Sequence, residues 1–556
     1  MSFRSAENAC KTGFQKLGLL LAVIFYLVSV FMVIRNHGGM DAVFSGDTQV
    51  LTFAHWQLED GFREGFEEAI RVYEQKKLEQ GIKVRVRQVA IPIRGYPQWF
   101  LTQLIGGEPA DVMEMTGGAD LQNQYFHALS PYIGTPNPWN RGTPLENMSW
   151  RESFTDDMLS ALNTAYSDFF SVCIFMHTTR VYVNLELYEK ATGTTKTPET
   201  VTEWLDACRK LHEYGKKNKR PIIPIGVRGF DKLTLGQLIA NYNSQLNAGY
   251  AEIGSDYGYG YSYGKVFELV NSGKLAKDRL LEPIELVVEL GQYFAKGFPS
   301  IDVEQTKYLF SSGNVGFFID GTWNAYGLIA NSPFPVKVIR IPELDKGHRL
   351  GARSHGRVTE LGSGVGGKFG IPKRTKHFEL ALDFLQFITS YEINQMTMVK
   401  HCKWMSSLKD VTYEGVMKDF EPVADTRYTA ILNPLNTGTY SNRRMLQRTE
   451  NLIIRNSGDS KREFWQDYLK DRKLIIEELR ESNHGIQRNI WNMDATRSAF
   501  AVGAFLPGFS DARKKLAATR NSINIEGMLS RIRAINANTE LMREIARLKE
   551  YDENGD

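Results

Sequence analysis

The feature that most constrains the fold is an alternation of hydrophobic period along residues 50–115. Residues 50–54 (VLTFA) form a short apolar run that predicts a strand. Phe62, Phe66, Ala69, Ile70 and Tyr73 then follow at i, i+4, i+7, i+8 and i+11, with charged residues between them. That spacing puts one apolar face on a helix across 60–80, and Gly81 suits its C′ position. Ile82, Val84 and Val86 alternate with Lys83, Arg85 and Arg87, the pattern of a strand with one wet face. A second helix is expected at 97–105, ending at Gly106-Gly107, and residues 111–115 (DVMEM) read as a third strand. Strand-helix-strand-helix-strand with short links implies a parallel sheet covered by helices. Such sheets bind ligands beyond the carboxyl ends of their strands. Here those ends are His55-Trp56-Gln57 and Glu114-Met115-Thr116.

A different constraint lies upstream. Residues 17–34 (LGLLLAVIFYLVSVFMVI) carry no charge over 18 positions. As a helix they span about 27 Å, enough for a bilayer core. Arg4, Lys11 and Lys16 precede the run and Arg35 follows it. The excess of positive charge before it predicts a cytoplasmic N-terminus over 1–16, a single transmembrane anchor over 17–34, and an exported body. A cleaved signal peptide has a shorter apolar region and small residues at its cleavage site, whereas Arg35-Asn36-His37 follows here. Cleavage and a buried core helix are the alternatives to the anchor. The expected location is the cytoplasmic membrane, single-pass, with the bulk of the chain periplasmic or extracellular.

Composition narrows the function classes. The net charge is +3 over 556 residues, below what a dedicated nucleic-acid binder carries. Positions 1–45 hold four basic and two acidic residues, which leaves +1 for the body. Cys10, Cys173, Cys208 and Cys402 are far apart and form no C-x-x-C pair, so they are expected as unpaired thiols. The sequence has no H-E-x-x-H, G-x-S-x-G or Walker A motif, and its His residues show no ligand spacing. No cofactor, metal or catalytic residue is therefore expected. Residues 362–367 (GSGVGG) satisfy G-x-G-x-x-G, but Lys368-Phe369-Gly370-Ile371-Pro372 continues as an extended segment where a dinucleotide site needs a helix.

Four ordered blocks carry a family resemblance. The run LTFAHWQLEDGFREGFEEAIRVYEQKKLEQGIKVRV (51–86), with the later GGEPADVMEM and HALSPYI, resembles the opening of the family-1 extracellular solute-binding proteins of ABC importers. RVYVNLELYEKATGTTKTPETVTEWLDACRKL (180–211), YLFSSGNVGFFIDGTW (308–323) and GVGGKFGIPKRTKHFELALDFLQFITSYEINQ (364–395) resemble its later segments in order. The resemblance covers roughly 48–410. It implies an α/β, two-lobe, maltose-binding-protein-like fold of the type II periplasmic-binding class, with the ligand in the interlobe cleft. It places lobe one at 48–172 plus 360–395 and lobe two at 173–359 plus 396–455. Hinge closure around a ligand is the expected motion.

A sugar presents C–H faces to aromatic rings and hydroxyls to carboxylates and amides. The resemblance makes Trp323, in Asp320-Gly321-Thr322-Trp323, the leading stacking residue, with Asp320 beside it. Trp56, Gln57 and Glu114 are candidates from their strand-end positions. Tyr182 matches the crossover Tyr-Asn pair of the family, with Asn184 suited to fixing the turn. Trp404, in His401-Cys402-Lys403-Trp404, is a weaker candidate, because this segment departs from the family's Gly/Pro-bearing loop. Core packing is the competing reading for Trp323 and Trp404, and a satisfied structural acid for Glu114. The loop 257–264 (YGYGYSYG) offers rings that either lap over a ligand or lie on the surface. Aromatics make up 12% of the chain, yet many fall on predicted core faces, so the named positions carry the sugar hypothesis.

The C-terminal extension, 456–556, exceeds the resemblance. Phe464, Trp465, Tyr468, Leu469, Ile475, Ile476 and Leu479 suggest one helical face, and Met528, Leu529, Ile532, Ile535, Met542, Ile545 and Leu548 another. Each must bury its stripe, against lobe two or a partner. The expected function is capture of a small solute, a sugar or oligosaccharide, for an ABC permease by a tethered monomer. A cell-surface glycan-processing enzyme and a tethered sensor without transport are the alternatives.

Overall fold

The computed structural model describes most of residues 48–248, 276–423 and 438–478, with short gaps, and isolated positions elsewhere up to 491. The predicted anchor at 17–34, the tyrosine-glycine loop at 257–264 and the stripe from Met528 onward lie outside the described residues. Among the described residues, no helix is long and apolar enough to cross a membrane.

The opening alternation folds as its periodicity requires. Strand β1 (Gln49–His55), helix α1 (Phe62–Glu79), strand β2 (Val84–Ala90), helix α2 (Tyr96–Gly106) and strand β3 (Val112–Glu114) follow in turn. The five apolar residues of the α1 stripe are all buried. Gly81 ends the helix with φ +79°, a conformation that favours glycine. Further along come β4 (Val172–Met176), β5 (Thr179–Asn184), α3 (Val201–Lys217), β6 (Ile223–Gly226), α4 (Leu233–Asn247) and α5 (Lys277–Gly291). They are followed by β7 (Val315–Gly321), β8 (Val336–Ile339), β9 (Val365–Gly370), α6 (Phe378–Ile388), β10 (Met405–Ser406), α7 (Thr439–Ile454) and α8 (Ser460–Lys470). Residues 365–370, which take in the last three positions of the glycine-rich motif, are strand and not the helix a dinucleotide site needs.

Two sheets organise these elements. A six-stranded sheet has the order β10-β4-β9-β3-β1-β2, and a four-stranded sheet has the order β8-β5-β7-β6. In the first, β1 runs parallel to β2 and β3, while β9 runs antiparallel to β3 and β4. In the second, β5 is antiparallel to β7 and β8, while β6 and β7 are parallel. The first core gathers Phe53, Phe62, Phe66, Phe369 and Phe384 under the larger sheet. The second gathers Trp204, Phe317, Leu238 and Leu286 around the smaller one.

Strand pairing moves the lobe boundary expected from the resemblance. Residues 173–176 belong to β4, which is zipped to β9 with Val365 opposite Met176 and Lys368 opposite Cys173. Met405 also pairs with Met176, so β10 sits in the six-stranded sheet and not with the second lobe. A cut at residue 172 would divide a strand whose backbone groups are satisfied only within the first sheet. The chain therefore passes between lobes at 177–178, on the approach to β9, and after β10.

The beginning of the C-terminal extension completes the second core. Phe464, Tyr468 and Ile475 are buried in it with Met445 and Leu452 of α7. α5 approaches α7 so closely that a Cβ on Gly291 would lie 2.6 Å from Ile453. Leu469, expected on the packed face, is instead exposed. Cys173, Cys208 and Cys402 are buried free thiols.

Candidate functional site

Strand direction aims the site. β4 leaves the first sheet at Met176 and β9 enters it at Val365, and these two residues are register partners. β1, β3 and β4 run in one direction, so their carboxyl ends point toward the second lobe. β5 enters the second lobe at Thr179, opposite Gly321 at the carboxyl end of β7. β6 is parallel to β7, so its end at Gly226 points the same way, back toward the first lobe. Two sets of strand ends thus confront each other across the crossing segments. Trp56, Gln57 and Glu114 are on one wall; Arg228, Asp320 and Trp323 are on the other.

On the first wall the structure brings the three predicted residues together. The Glu114 carboxylate accepts a hydrogen bond from Gln57 Nε2 at 2.5 Å and one from the Trp56 backbone N–H at 3.2 Å. Glu114 has no exposed surface and Gln57 almost none. Burial pushes the Glu114 carboxyl up to about 8, against the two donors that favour its charged form. Trp56 is half-buried, with its ring edge-on to Tyr96 at a centroid distance of 4.9 Å. Tyr96 was not anticipated. It opens α2, donates from its hydroxyl to the Glu114 carbonyl at 2.7 Å, and so supports the same wall. His55 beside them is buried, accepts from the Gln57 N–H at 3.1 Å, and burial lowers it to about 4.

On the second wall Asp320 is fully buried and organises the turn that presents Trp323. One carboxylate oxygen accepts the Gly321 N–H at 2.8 Å and the other accepts Asn324 Nδ2 at 2.7 Å. Burial raises its carboxyl, while the Arg228 guanidinium, 3.8 Å away, opposes the rise. Trp323 is half-buried and packs against the first lobe's core, with its ring 5.6 Å from that of His177. Its indole folds back over Gly321, where a Cβ would lie 2.2 Å from the ring. A Cβ at this position would push the indole aside. Arg228 and Phe230, the latter 64% exposed, follow β6 at the same end of the sheet. The strand-end rule that picked out Trp56 also points to them once residues 223–226 are read as a strand.

Two of the candidate residues are buried in apolar packing. Tyr182 has no exposed surface and spends its hydroxyl on the Gly321 carbonyl at 2.7 Å. It packs in an apolar cluster that spans the crossing, with Met176, Phe318, Met405 and Phe420. Trp404 is buried edge-on to Phe62 and Phe175, at 4.6 and 4.4 Å, within the first core. Both are packing residues because their strands or turns point them inward. Asn184 caps the helix that follows it, accepting from the Leu187 N–H at 3.0 Å, as its turn role implies.

Comparison with known proteins fits this geometry. Residues 55–395 match the bacterial extracellular solute-binding proteins, more than half of the chain. The chain belongs to this family. Among solved structures, the GacH receptor of Streptomyces glaucescens shares 15% identity at a TM-score of 0.54, covering 77% of this chain and 98% of GacH. It is known unliganded and in complex with acarbose and an acarbose homolog. RafE of Streptococcus pneumoniae, in its apo form, shares 18% identity at a TM-score of 0.52, covering 75% of this chain and 96% of its own. RafE is also known in complex with raffinose. No curated protein matches the sequence of this chain. Among the described residues, no group of three or more His, Cys, Asp or Glu is arranged to hold a metal ion.

Proposed function

We propose that this solute-binding protein captures a carbohydrate, a sugar or oligosaccharide, between its lobes and delivers it to an ABC permease. The observation that carries the reading is the pair of confronting walls, each ending in a half-buried tryptophan on a hydrogen-bonded turn. An indole offers a flat apolar face to sugar C–H groups. Arg228 and Asn324, neither fully buried, supply polar groups at the second wall, as a mixed apolar and polar cleft requires. The saccharide complexes of GacH and RafE support the ligand class. The uncharged run at 17–34 supports tethering of the protein to the membrane, with the body outside the cytoplasm. Binding without covalent chemistry is the proposed activity, by a monomer.

The test is a ligand screen of the full-length protein in detergent. Mono- and oligosaccharides, amino acids and peptides are compared by thermal shift and tryptophan fluorescence. A saccharide that raises the unfolding temperature and perturbs the fluorescence supports the proposal. Stabilisation by a peptide and by no saccharide overturns the ligand class. Shortening of a bound glycan over hours replaces binding with enzymatic processing.

A further inference from the structure

The three connections between the lobes meet at one side chain. Arg180 lies on β5, one residue past Thr179, and has no exposed surface. Its Nε donates to the Asp419 carbonyl at 2.9 Å, and its Nη1 to the Thr179 carbonyl at 2.8 Å. Its two Nη atoms also hold both oxygens of Glu360 at 2.9 Å each. Nη2 further donates to the carbonyls of Phe420 at 3.1 Å and Glu421 at 2.9 Å. Thr179 belongs to the first connection, Glu360 to the second, and 419–421 to the third. The partners are joined to each other as well. Val423 donates its N–H to Glu360 Oε2, the Glu360 N–H donates to the Val423 carbonyl, and Thr178 Oγ1 donates to the Phe420 carbonyl.

We propose that Arg180 and Glu360 are positioning residues that bind the three connections into one unit moving with the second lobe. Bending is then confined to the short stretches between this clamp and the six-stranded sheet. The described residues between clamp and sheet support this placement. The first and second connections touch there through backbone, His177 N–H to the Gly364 carbonyl at 2.6 Å, and a Cβ on Gly364 would lie 1.9 Å from the His177 carbonyl oxygen. The third is held to the first lobe as far as Tyr413: the Asp410 carbonyl accepts from Tyr391, and the Tyr413 hydroxyl accepts from the Ser406 N–H of β10 at 3.0 Å. It then reaches Gly415, at φ +56°, before joining the second lobe.

A planar guanidinium can hold a bidentate carboxylate and several carbonyls together because its N–H groups diverge in one fixed fork. A lysine ammonium cannot. A buried ion pair is weak evidence for net stability, since a well-packed apolar set often does as well, and fixing a geometry is its better-attested use. Here that geometry is the common origin of three strands of chain. The proposal rests on the two-lobe binding reading for its purpose, but its test uses no ligand. A failed ligand screen therefore leaves it standing, and its own failure leaves the ligand class untouched.

The experiment compares Arg180→Lys and Glu360→Gln with the wild-type full-length protein. One readout is amide hydrogen exchange. The other is the distance distribution between spin labels at Ile105 and Tyr308, which are 70% and 73% exposed on opposite lobes. Arg180→Lys is expected to speed exchange at 359–360 and 419–423 by tenfold or more and to broaden the interlobe distances, while β1 and β7 keep their protection. Glu360→Gln is expected to give the same pattern at smaller size, and it carries the test if Arg180→Lys does not fold. Unchanged exchange and unchanged distances overturn the proposal. So does faster exchange spread through both sheets, which would make the pair an ordinary stabiliser of the core.

Discussion

Glu114 allows a quantitative test of the first wall. Its carboxyl has no exposed surface, and burial lifts it from an ordinary 4.5 to about 8. Nearby Glu59 adds to the rise, while the Gln57 and Trp56 donors oppose it. The folded protein therefore holds this proton more tightly than the unfolded chain does. The stability it contributes is fully present below about pH 4.5 and is lost as the pH climbs through about 8. At about 1.4 kcal/mol per pKa unit, the loss approaches the order of 4–5 kcal/mol by pH 9, as an upper bound before water entry or relaxation. Glu114→Gln removes the titration and keeps the shape. At pH 6 the native acid is still protonated but the unfolded glutamate is already ionised, so the amide variant should already be the more stable by about 2 kcal/mol, and the two proteins should match only near pH 4.5. At pH 9 the variant should be the more stable by a few kcal/mol. Urea unfolding of both proteins across pH 6 to 9.5, read as the difference at each pH, isolates this group because all other titrations cancel. Parallel curves would refute the reasoning and mean that water reaches the carboxylate.

Three further substitutions separate contact from packing. Trp323→Ala is expected to weaken saccharide binding by more than about 1 kcal/mol while lowering the ligand-free unfolding temperature much less than Trp404→Ala does, since its ring is only half-buried against the first core; an equal loss of unfolding temperature would make Trp323 core. Trp404→Ala should destabilise the protein by about 3–5 kcal/mol through the cavity it leaves. Trp404→Phe should be much milder, because the indole N–H it deletes is buried without an acceptor; denaturant midpoints of the two variants check the order. Gly321→Ala should displace the Trp323 ring, since the added Cβ would lie 2.2 Å from it, and titration with a saccharide ligand should show a loss of affinity comparable to that of Trp323→Ala.

The opening of the fold was legible because its signals are local. The α1 stripe, the Gly81 stop and the alternation of β2 each depend on a few neighbouring residues, and each appears in the structure. The site was legible only as far as strand ends could be recognised. Trp56, Gln57 and Glu114 follow from that rule, and the structure joins them by hydrogen bonds. Arg228 and Phe230 obey the same rule but were missed, because β6 is a four-residue strand with two prolines and glycines nearby. The burial of Tyr182 and Trp404 was not legible for a different reason. Whether a ring at a crossover turns inward depends on partners hundreds of positions away, such as Phe62 for Trp404. The sheet membership of β4 and β10 was illegible likewise, since both are held in the first sheet by long-range pairing.

The placement of the buried acids gives the two walls a common logic. Glu114 and Asp320 both end strands that face the other lobe, and neither has exposed surface. Each instead accepts hydrogen bonds from the turn that carries a half-buried tryptophan, at Trp56 on one side and through Gly321 and Asn324 on the other. A buried acid that accepts only from backbone and amide donors holds the turn that carries the tryptophan in one shape before any ligand arrives. Turns fixed in this way need no ordering on contact, so less of the binding energy is spent on them. The motion that closes on a solute then belongs to the crossing segments, where Arg180 gathers the connections, and not to the walls. Rigid faces moved by a localised hinge would let the affinity of the cleft be tuned at the strand ends and its closure be tuned separately at Arg180 and Glu360.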